Sequence, residues 1–301
     1  MRLDDKAYAE LLDVRVREPS RIAEALGERR RRAALAPDGV LLIVAADHTA
    51  RGMLGTGGDA MAMVDRRRML ERLALALGHP RVDGVLASAD ILEDLILLGL
   101  LDDKVAVGTM NRGGLAGARW ELDDRMTAYD PRHLAAAGLD GGKMLLRLDD
   151  DDPASAITLE ACARAVTELA DAGLMAMVEP LPYTRDASGR AVWDHDPVAL
   201  LRAVAVSSGL GGTSAYTWLK VPASADIARV ASATTLPLLL LGGPIGPDPA
   251  ATFAAWEQGL AEPSVRGLVA GRALLYPPDG DVAGAIDAAG ALVQRAAEAR
   301  R

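Results

Sequence analysis

The sequence predicts an α/β protein folded as a single (β/α)8 (TIM) barrel with an N-terminal helical extension. Three observations lead there: short apolar runs recur from Val40 to Ala270, segments of helical period alternate with them, and no linker rich in Pro, Gly or Ser splits the chain. A length of 301 residues suits one large barrel or two ordinary domains, and the missing linker favours one. The boundaries expected are 1–38 for the extension and 39–301 for the barrel.

The extension reads as helical and closes with the basic run Arg29 to Arg32, expected to be a solvated charge run on a segment packed against the barrel. The first strand is Val40 to Asp47. Behind it stands Asp47-His48-Thr49-Ala50-Arg51-Gly52 rather than a Gly-x-Gly-x-x-Gly turn, so the rival doubly wound dinucleotide fold loses its marker. The later strands are Gly84 to Ser88, Lys104 to Thr109, Lys143 to Leu148, Leu174 to Glu179, Thr217 to Val221, Pro237 to Leu241 and Gly267 to Ala270. Helical period marks Ile91 to Leu101, Ile157 to Ala172, Pro197 to Val206, Ala225 to Ala233, Pro249 to Leu260 and Val282 to Ala299. Asp248-Pro249 reads as a cap followed by a first-turn proline, and Gly173 as the stop before strand five.

Composition excludes several classes of function. Lysine and arginine total 33 against 42 acidic residues, a net charge of −9, so the basic face of a nucleic-acid binder is not expected. Hydrophobic residues make up 50% of the chain and aromatics only 3%, which leaves Ala, Val and Leu to build a large core. The single cysteine, Cys162, allows no internal disulfide, and no Cys or His cluster has metal-ligand spacing, so neither a metal nor another cofactor is expected. The N-terminal segment lacks an apolar h-region, and no apolar stretch is long enough to span a bilayer. A cytoplasmic protein without a membrane partner is the expectation.

In such a barrel the chemistry gathers at the C-terminal ends of the strands. Only Lys6, Lys104, Lys143 and Lys220 are lysines in an arginine-rich chain, so a lysine within an apolar strand invites a chemical reason. Lys220 lies in Tyr216-Thr217-Trp218-Leu219-Lys220-Val221-Pro222, where a partly desolvated amine would have a depressed pKa and could attack a ketone to form an iminium. The alternative is a lysine snorkelling from the mouth to pair with a carboxylate. Lys143, Leu145 and Arg147 share one face of strand four, so the two cations could bind phosphate, or else pair with Asp47, Asp149 or Glu179. Glu179 ends strand five and could shuttle protons. Asp47 could orient a lysine or a substrate hydroxyl, with His48 beside it. Gly242 and Gly243 after strand seven, and Gly271 with Arg272 after strand eight, form the glycine turns that commonly hold phosphate in barrels. The run Asp149 to Asp152 reads as a solvated turn capping the next helix.

Taken together these motifs resemble the class I, Schiff-base aldolases on (β/α)8 barrels, a group that includes tagatose-bisphosphate, archaeal-type fructose-bisphosphate and deoxyribose-phosphate aldolases. Ala46-Asp47-His48 is similar to the first-strand Asp-His of the archaeal-type enzymes. The stretch from Leu134 through Gly138-Leu139-Asp140 to Lys143 resembles the tagatose-bisphosphate pattern of helix, Gly-x-Asp and strand-four lysine. Val178-Glu179-Pro180 resembles that group's Glu-Pro, Leu219-Lys220-Val221 its iminium-forming lysine, and Gly242-Gly243-Pro244 with Gly271-Arg272 its phosphate loops. The strand-seven lysine of deoxyribose-phosphate aldolase is missing, since that strand reads Pro237-Leu238-Leu239-Leu240-Leu241. The insertion Asn111 to Asp124 and the segment Thr184 to Asp196 have no counterpart.

The resemblance implies retro-aldol cleavage of a phosphorylated keto sugar or keto acid: Lys220 forms the iminium, Glu179 moves protons, and Asp47 and Lys143 tune or orient. His48, Arg147, Gly242, Gly243, Gly271 and Arg272 would bind substrate and its phosphate, and further copies of the chain are the protein partner expected. The chain also resembles an actinobacterial barrel group associated with inositol catabolism, which implies 2-deoxy-5-keto-gluconate 6-phosphate as substrate. A metal-dependent class II aldolase and a non-catalytic sugar-phosphate sensor remain the alternatives.

Overall fold

The computed structural model describes residues 3–243 and 248–301. Pro244, part of the turn after strand seven, lies outside the described residues. The strands in chain order are β1 (Leu41–Ala45), β2 (Gly84–Ala87), β3 (Val105–Thr109), β4 (Gly141–Leu148), β5 (Met175–Arg185), β6 (Ala191–Trp193), β7 (Thr217–Pro222), β8 (Leu238–Leu241) and β9 (Val265–Ala270). All except β6 run parallel, in the order β4-β3-β2-β1-β9-β8-β7-β5, and β4 pairs with β5 to close the ring. This is the predicted (β/α)8 barrel.

Around it lie α1 (Asp5–Arg17), α2 (Ser20–Glu28), α3 (Arg66–Leu77), α4 (Ala89–Leu97), α5 (Pro131–Ala136), α6 (Ala154–Asp171), α7 (Pro197–Ser208), α8 (Ile227–Ala231), α9 (Pro249–Leu260), α10 (Arg272–Leu275) and α11 (Val282–Glu298). Asp248 caps α9 as its sequence suggests, its carboxylate accepting from the Ala250 N–H at 2.9 Å. Gly173, at φ +67°, turns the chain out of α6 in the left-handed region that glycine alone enters at little cost. Among the described residues no helix is long and apolar enough to cross a membrane.

Side chains alternate across each strand and sort into three apolar layers. Leu42, Val44, Val85, Met144, Val178 and Leu240 face outward and pack beneath the helices. Leu41, Ile43, Leu86, Val107, Met175, Met177, Leu239 and Val269 fill the barrel interior. A small collar of Leu145, Leu181 and Leu241 sits at the mouth, with Tyr183 and Trp193 against it. The plug carries the site, because the alternation that places Met175 and Met177 inside also sets Glu179 above them.

Several strand bounds shift from the sequence expectation by a residue or two, as in β1, which ends at Ala45, and β9, which starts at Val265, and the shifts in β4 and β5 bear on the site. β4 starts at Gly141 rather than Lys143. Gly141 and Gly142 are close-approach positions within the strand: a Cβ on Gly142 would lie 2.5 Å from Met110 Sδ. β5 runs past Glu179 through Pro180 and Pro182 to Arg185, then folds back on β6, so the unmatched segment after Thr184 is a rim hairpin. Prolines are tolerated there because β7 pairs only with Ala176 to Val178, so no β7 carbonyl calls for an N–H at Pro180 or Pro182.

The expectation for Arg29 to Arg32 was wrong. These arginines stitch the N-terminal segment to the strand starts at the closed end of the barrel. The Arg29 side chain is only 2% exposed; its guanidinium donates to the carbonyls of Lys104 (2.9 Å) and Gly138 (2.6 Å) and pairs with Asp140 at 3.0 Å. Arg31 also reaches Asp140, Arg32 pairs with Asp83 at 2.9 Å, and the more exposed Arg30 pairs with Asp103. Asp140 and Asp83 in turn accept the N–H groups of Ala106 and Leu42, so the aspartates splice arginine and barrel backbone together. The acidic run after β4 is only partly solvated, since Asp149 is buried and Arg185 pairs with both Asp149 and Asp152.

Arg29→Met should therefore lower unfolding stability by roughly 3 kcal/mol, because it strands buried carbonyls and weakens a buried ion pair. Arg30→Ala should leave the urea midpoint near that of the parent. Equal midpoints for the two variants would contradict the stitching role.

Candidate active site

The C-terminal ends of the strands open into a cavity of about 170 Å³, lined by Asp47, His48, Arg51, Arg112, Lys143, Glu179, Lys220 and Arg272 together with Gly242, Gly243, Gly271 and the aromatic pair Tyr183 and Trp193. Nearly every candidate named from sequence meets here.

Glu179 stands between two lysines contributed by the strands on either side of its own. Lys220 Nζ donates to Glu179 Oε1 at 2.8 Å, and Lys143 Nζ pairs with Glu179 Oε2. Lys143 also lies 3.6 Å from Asp47 Oδ2, which accepts from Thr109 Oγ1 at 3.2 Å and faces Arg112 Nη2 at 2.9 Å. Glu179, Lys143, Lys220 and Asp47 are all buried, so their charges act in a medium far less screening than water.

Burial raises the carboxyl pKa of Glu179, but the two lysines outweigh it and hold the group at about 2. Burial opposes ionisation of Asp47 too, and Arg112 followed by Lys143 keeps it well below the usual carboxylate range. Burial and then Arg112 push Lys143 down to about 8, against the pull of Glu179 and Asp47. Both carboxylates stay ionised because cations outnumber them, and the surplus positive charge falls on the Lys143 amine. His48, 3.9 Å from Asp47, is driven down to about 3 by burial with Arg272, Lys220 and Arg112 nearby, so its ring is neutral at ordinary pH.

The glycine turns are sterically required. A Cβ on Gly271 would lie 2.3 Å from the Ala45 carbonyl and 2.7 Å from His48 Cε1, and Gly243 holds φ +62°. Arg272 borders them with its buried Nε lacking a hydrogen-bond partner, and among the described residues it has no ion pair.

Arg147 departs from expectation. It does not line the cavity: fully buried, it clasps Asp124 through Nε at 2.7 Å and Nη2 at 2.9 Å, reaches Glu121 Oε1 at 3.3 Å and bonds the Glu121 carbonyl. Its charge is spent on folding the insertion that follows β3, and it is not available to phosphate. Asn111 opens that insertion by bonding both the N–H (2.7 Å) and the carbonyl (2.6 Å) of Leu145, in place of a further rung of sheet.

Sequence reasoning missed Arg112 and Arg51. Asn111-Arg112-Gly113-Gly114 directly follows strand three, and weighting that strand end like the others would have found Arg112. Arg51 stood in the quoted turn after strand one but was passed over for its neighbours.

Residues 39–290 match the Cgl0159-like family. The chain is similar to Cgl0159 from Corynebacterium glutamicum, known as a crystal structure, at 48% identity and TM-score 0.94, covering 97% of this chain and 98% of that one. The barrel is also similar to a Schiff-base-forming fructose-1,6-bisphosphate aldolase (19% identity, TM-score 0.65, 90% and 99% covered). A fructose-bisphosphate aldolase from Slackia heliotrinireducens is similar as well (14% identity, TM-score 0.65, 99% and 92% covered). At such identities the last two likenesses show a shared fold. No curated protein matches the sequence.

With only four lysines, carbon-13 labelling at lysine Cε should resolve each by NMR. The resonance lost in Lys143→Gln is expected to titrate near pH 8 rather than at the ordinary 10.5. The folded protein then binds fewer protons than the unfolded one between those values, so Lys143 adds stability as pH rises through that window. A midpoint at or above the ordinary value would contradict the surplus of positive charge.

Proposed function

The chain belongs to the Cgl0159-like family, and from that premise we propose that it is a carbon–carbon lyase, a class I aldolase that cleaves a phosphorylated keto sugar or keto acid through an imine on Lys220. The observation that carries the reading is the pair of buried lysines sharing Glu179 in a cavity where five cations face two carboxylates, in a protein whose net charge is −9. So cationic a pocket in an acidic protein favours an anionic substrate.

The steps follow from the geometry. Attack on the substrate ketone needs a neutral Lys220 amine. Glu179 lies in reach at 2.8 Å, but while two cations flank it the carboxylate is a poor base. Lys143, with its depressed pKa, gives up its own proton to solvent more readily than an ordinary lysine, and its neutral amine then takes the Lys220 proton through the other oxygen of Glu179, so the carboxylate acts as a relay. As the new N–C bond forms the carbonyl π bond breaks, and the proton on the adduct nitrogen passes to the alkoxide, giving a carbinolamine in which the Lys220 nitrogen is uncharged. Glu179 then has one flanking cation fewer, its pKa rises, and it draws back the proton held by Lys143 and passes it to the hydroxyl, which departs as water to leave the iminium.

Glu179, a carboxylate again, takes the proton of the hydroxyl on the carbon β to the iminium, the bond between the α and β carbons breaks, and the same proton is later returned to the enamine carbon. The aldehyde departs and the bonding electrons pass into the iminium, giving an enamine. Protonation at carbon and addition of water release the ketone product and restore Lys220. Asp47, held ionised, orients Lys143 and accepts a substrate hydroxyl. Neutral His48 offers an uncharged hydrogen bond, while Gly242, Gly243, Gly271 and Arg272 hold the phosphate.

Borohydride added with a panel of phosphorylated ketoses and keto acids, including 2-deoxy-5-keto-gluconate 6-phosphate, should leave a stable mass addition on Lys220. Lys220→Ala should abolish both trapping and turnover, and Glu179→Gln should slow turnover by about 10²–10⁴-fold. Absence of any adduct, with turnover surviving Lys220→Ala, would overturn the imine. Phosphate binding without turnover of any panel member would mean a sensor instead.

A further inference from the structure

We propose that the mouth holds a second anion subsite, made by Arg51 and Arg112, and that the substrate carries two acidic groups: the phosphate at Arg272 and the glycine turns, and a carboxylate or second phosphate across the cavity. The inference rests on the aldolase reading for which end takes the phosphate, while the subsite stands on its own geometry.

Both guanidiniums line the cavity, and each residue is only 7% exposed. Arg112 Nη2 lies 2.9 Å from Asp47 Oδ2 as an ion pair, yet neither it nor Nε makes a hydrogen bond of good geometry. Arg51 has the same deficit at Nε, and among the described residues its one ion pair, to Glu121 Oε1, is long at 3.5 Å. Buried guanidinium donors without acceptors are costly, and a bound anion is a common reason for keeping them.

The neighbouring Arg147 sharpens the contrast. It is equally buried and bonds Asp124, Glu121 and the Gly114 carbonyl. The insertion thus has the carboxylates to neutralise an arginine and spends them on Arg147, leaving Arg51 and Arg112 short. Burial, and then the like charges of Arg147 and Arg112, disfavour the charged form of Arg51, a strain that an anion would relieve. Topology separates Arg112 from Arg272: Arg112 follows β3 and Arg272 follows β9, with β1 and β2 between them in the ring, and Arg51, which follows β1, stands between the two and feels the charge of Arg112. A guanidinium pair suits the planar fork of a carboxylate or two oxygens of a phosphate.

Unreactive ligands test the subsite directly. Alkyl phosphates, ω-phosphonoalkanoates and alkane bisphosphates of matched chain lengths would be titrated calorimetrically into the full-length protein, Arg51→Gln and Arg112→Gln. The best two-ended ligand should bind the parent at least about tenfold more tightly than the alkyl phosphate of equal length. In both variants that gap should close to within about twofold while alkyl phosphate affinity holds. The phosphonoalkanoate and bisphosphate arms tell which second anion is preferred. Equal affinities in the parent at every length, or a gap that persists in both variants, would overturn the subsite. Should Arg112→Gln fail to fold, for it also faces Asp47, Arg51→Gln decides alone. None of the ligands has a ketone or aldehyde to form an imine, so a two-ended preference without borohydride trapping of the phosphorylated ketoses and keto acids keeps the subsite and removes the aldolase reading, and trapping without the preference does the reverse.

Discussion

One carboxylate shared by two buried amines governs the mouth of this barrel. Glu179 projects from β5, and the adjacent β4 and β7 deliver Lys143 and Lys220 to its two oxygens. In a medium of low dielectric no member of the trio is stable alone: the carboxylate would be protonated, and the ammoniums would repel each other and Arg112. Their mutual dependence makes the cluster responsive. Removing the charge from one lysine by forming a bond at its nitrogen changes the affinity of Glu179 for a proton, which is how a group at rest too acidic to act becomes an acid at the moment it is needed.

The arginines divide between holding the fold and leaving donors open. At the closed end, Arg29 is consumed by carbonyls and Asp140, and at the open end Arg147 is consumed by Asp124 and Glu121. These spend their hydrogen bonds on geometry, one tying the N-terminal helices to the strand starts and the other folding the insertion over the cavity. Arg272, Arg112 and Arg51 sit in the same low-dielectric setting around the cavity with buried donors unspent, where Arg147 has none to spare and Arg29 only its Nε. The acidic surface of the rest of the chain makes the contrast sharper, since an anion drawn to this protein finds its attraction at the cavity.

The barrel was legible because parallel strands buried on both faces read as continuous apolar runs, and the caps at Asp248 and Gly173 are local signals that tertiary packing did not override. The site was legible where a charged residue interrupts such a run: Lys143, Glu179 and Lys220 each break an apolar strand, and all three meet. What escaped depended on partners far along the chain. Nothing local distinguishes Arg29, which finds Asp140, from Arg30, which stays in solvent. Arg147 has the strand register of a ligand-binding residue, but Asp124, distant in sequence, claims it. Pro180 and Pro182 looked like the end of strand five, because the lack of a β7 partner at that height cannot be read from the residues themselves.

The central claim is that the Lys220 nitrogen, released from Glu179, is the atom that joins the substrate. A crystal structure of the protein reduced with borohydride in the presence of a turned-over phosphorylated ketose or keto acid tests it most directly. The account expects continuous density from Lys220 Nζ to the former carbonyl carbon, Glu179 still held by Lys143, and the phosphate against Gly242, Gly243 and Arg272. A bond to Lys143 instead, or a ligand bound with both lysines still clasping Glu179, would contradict it.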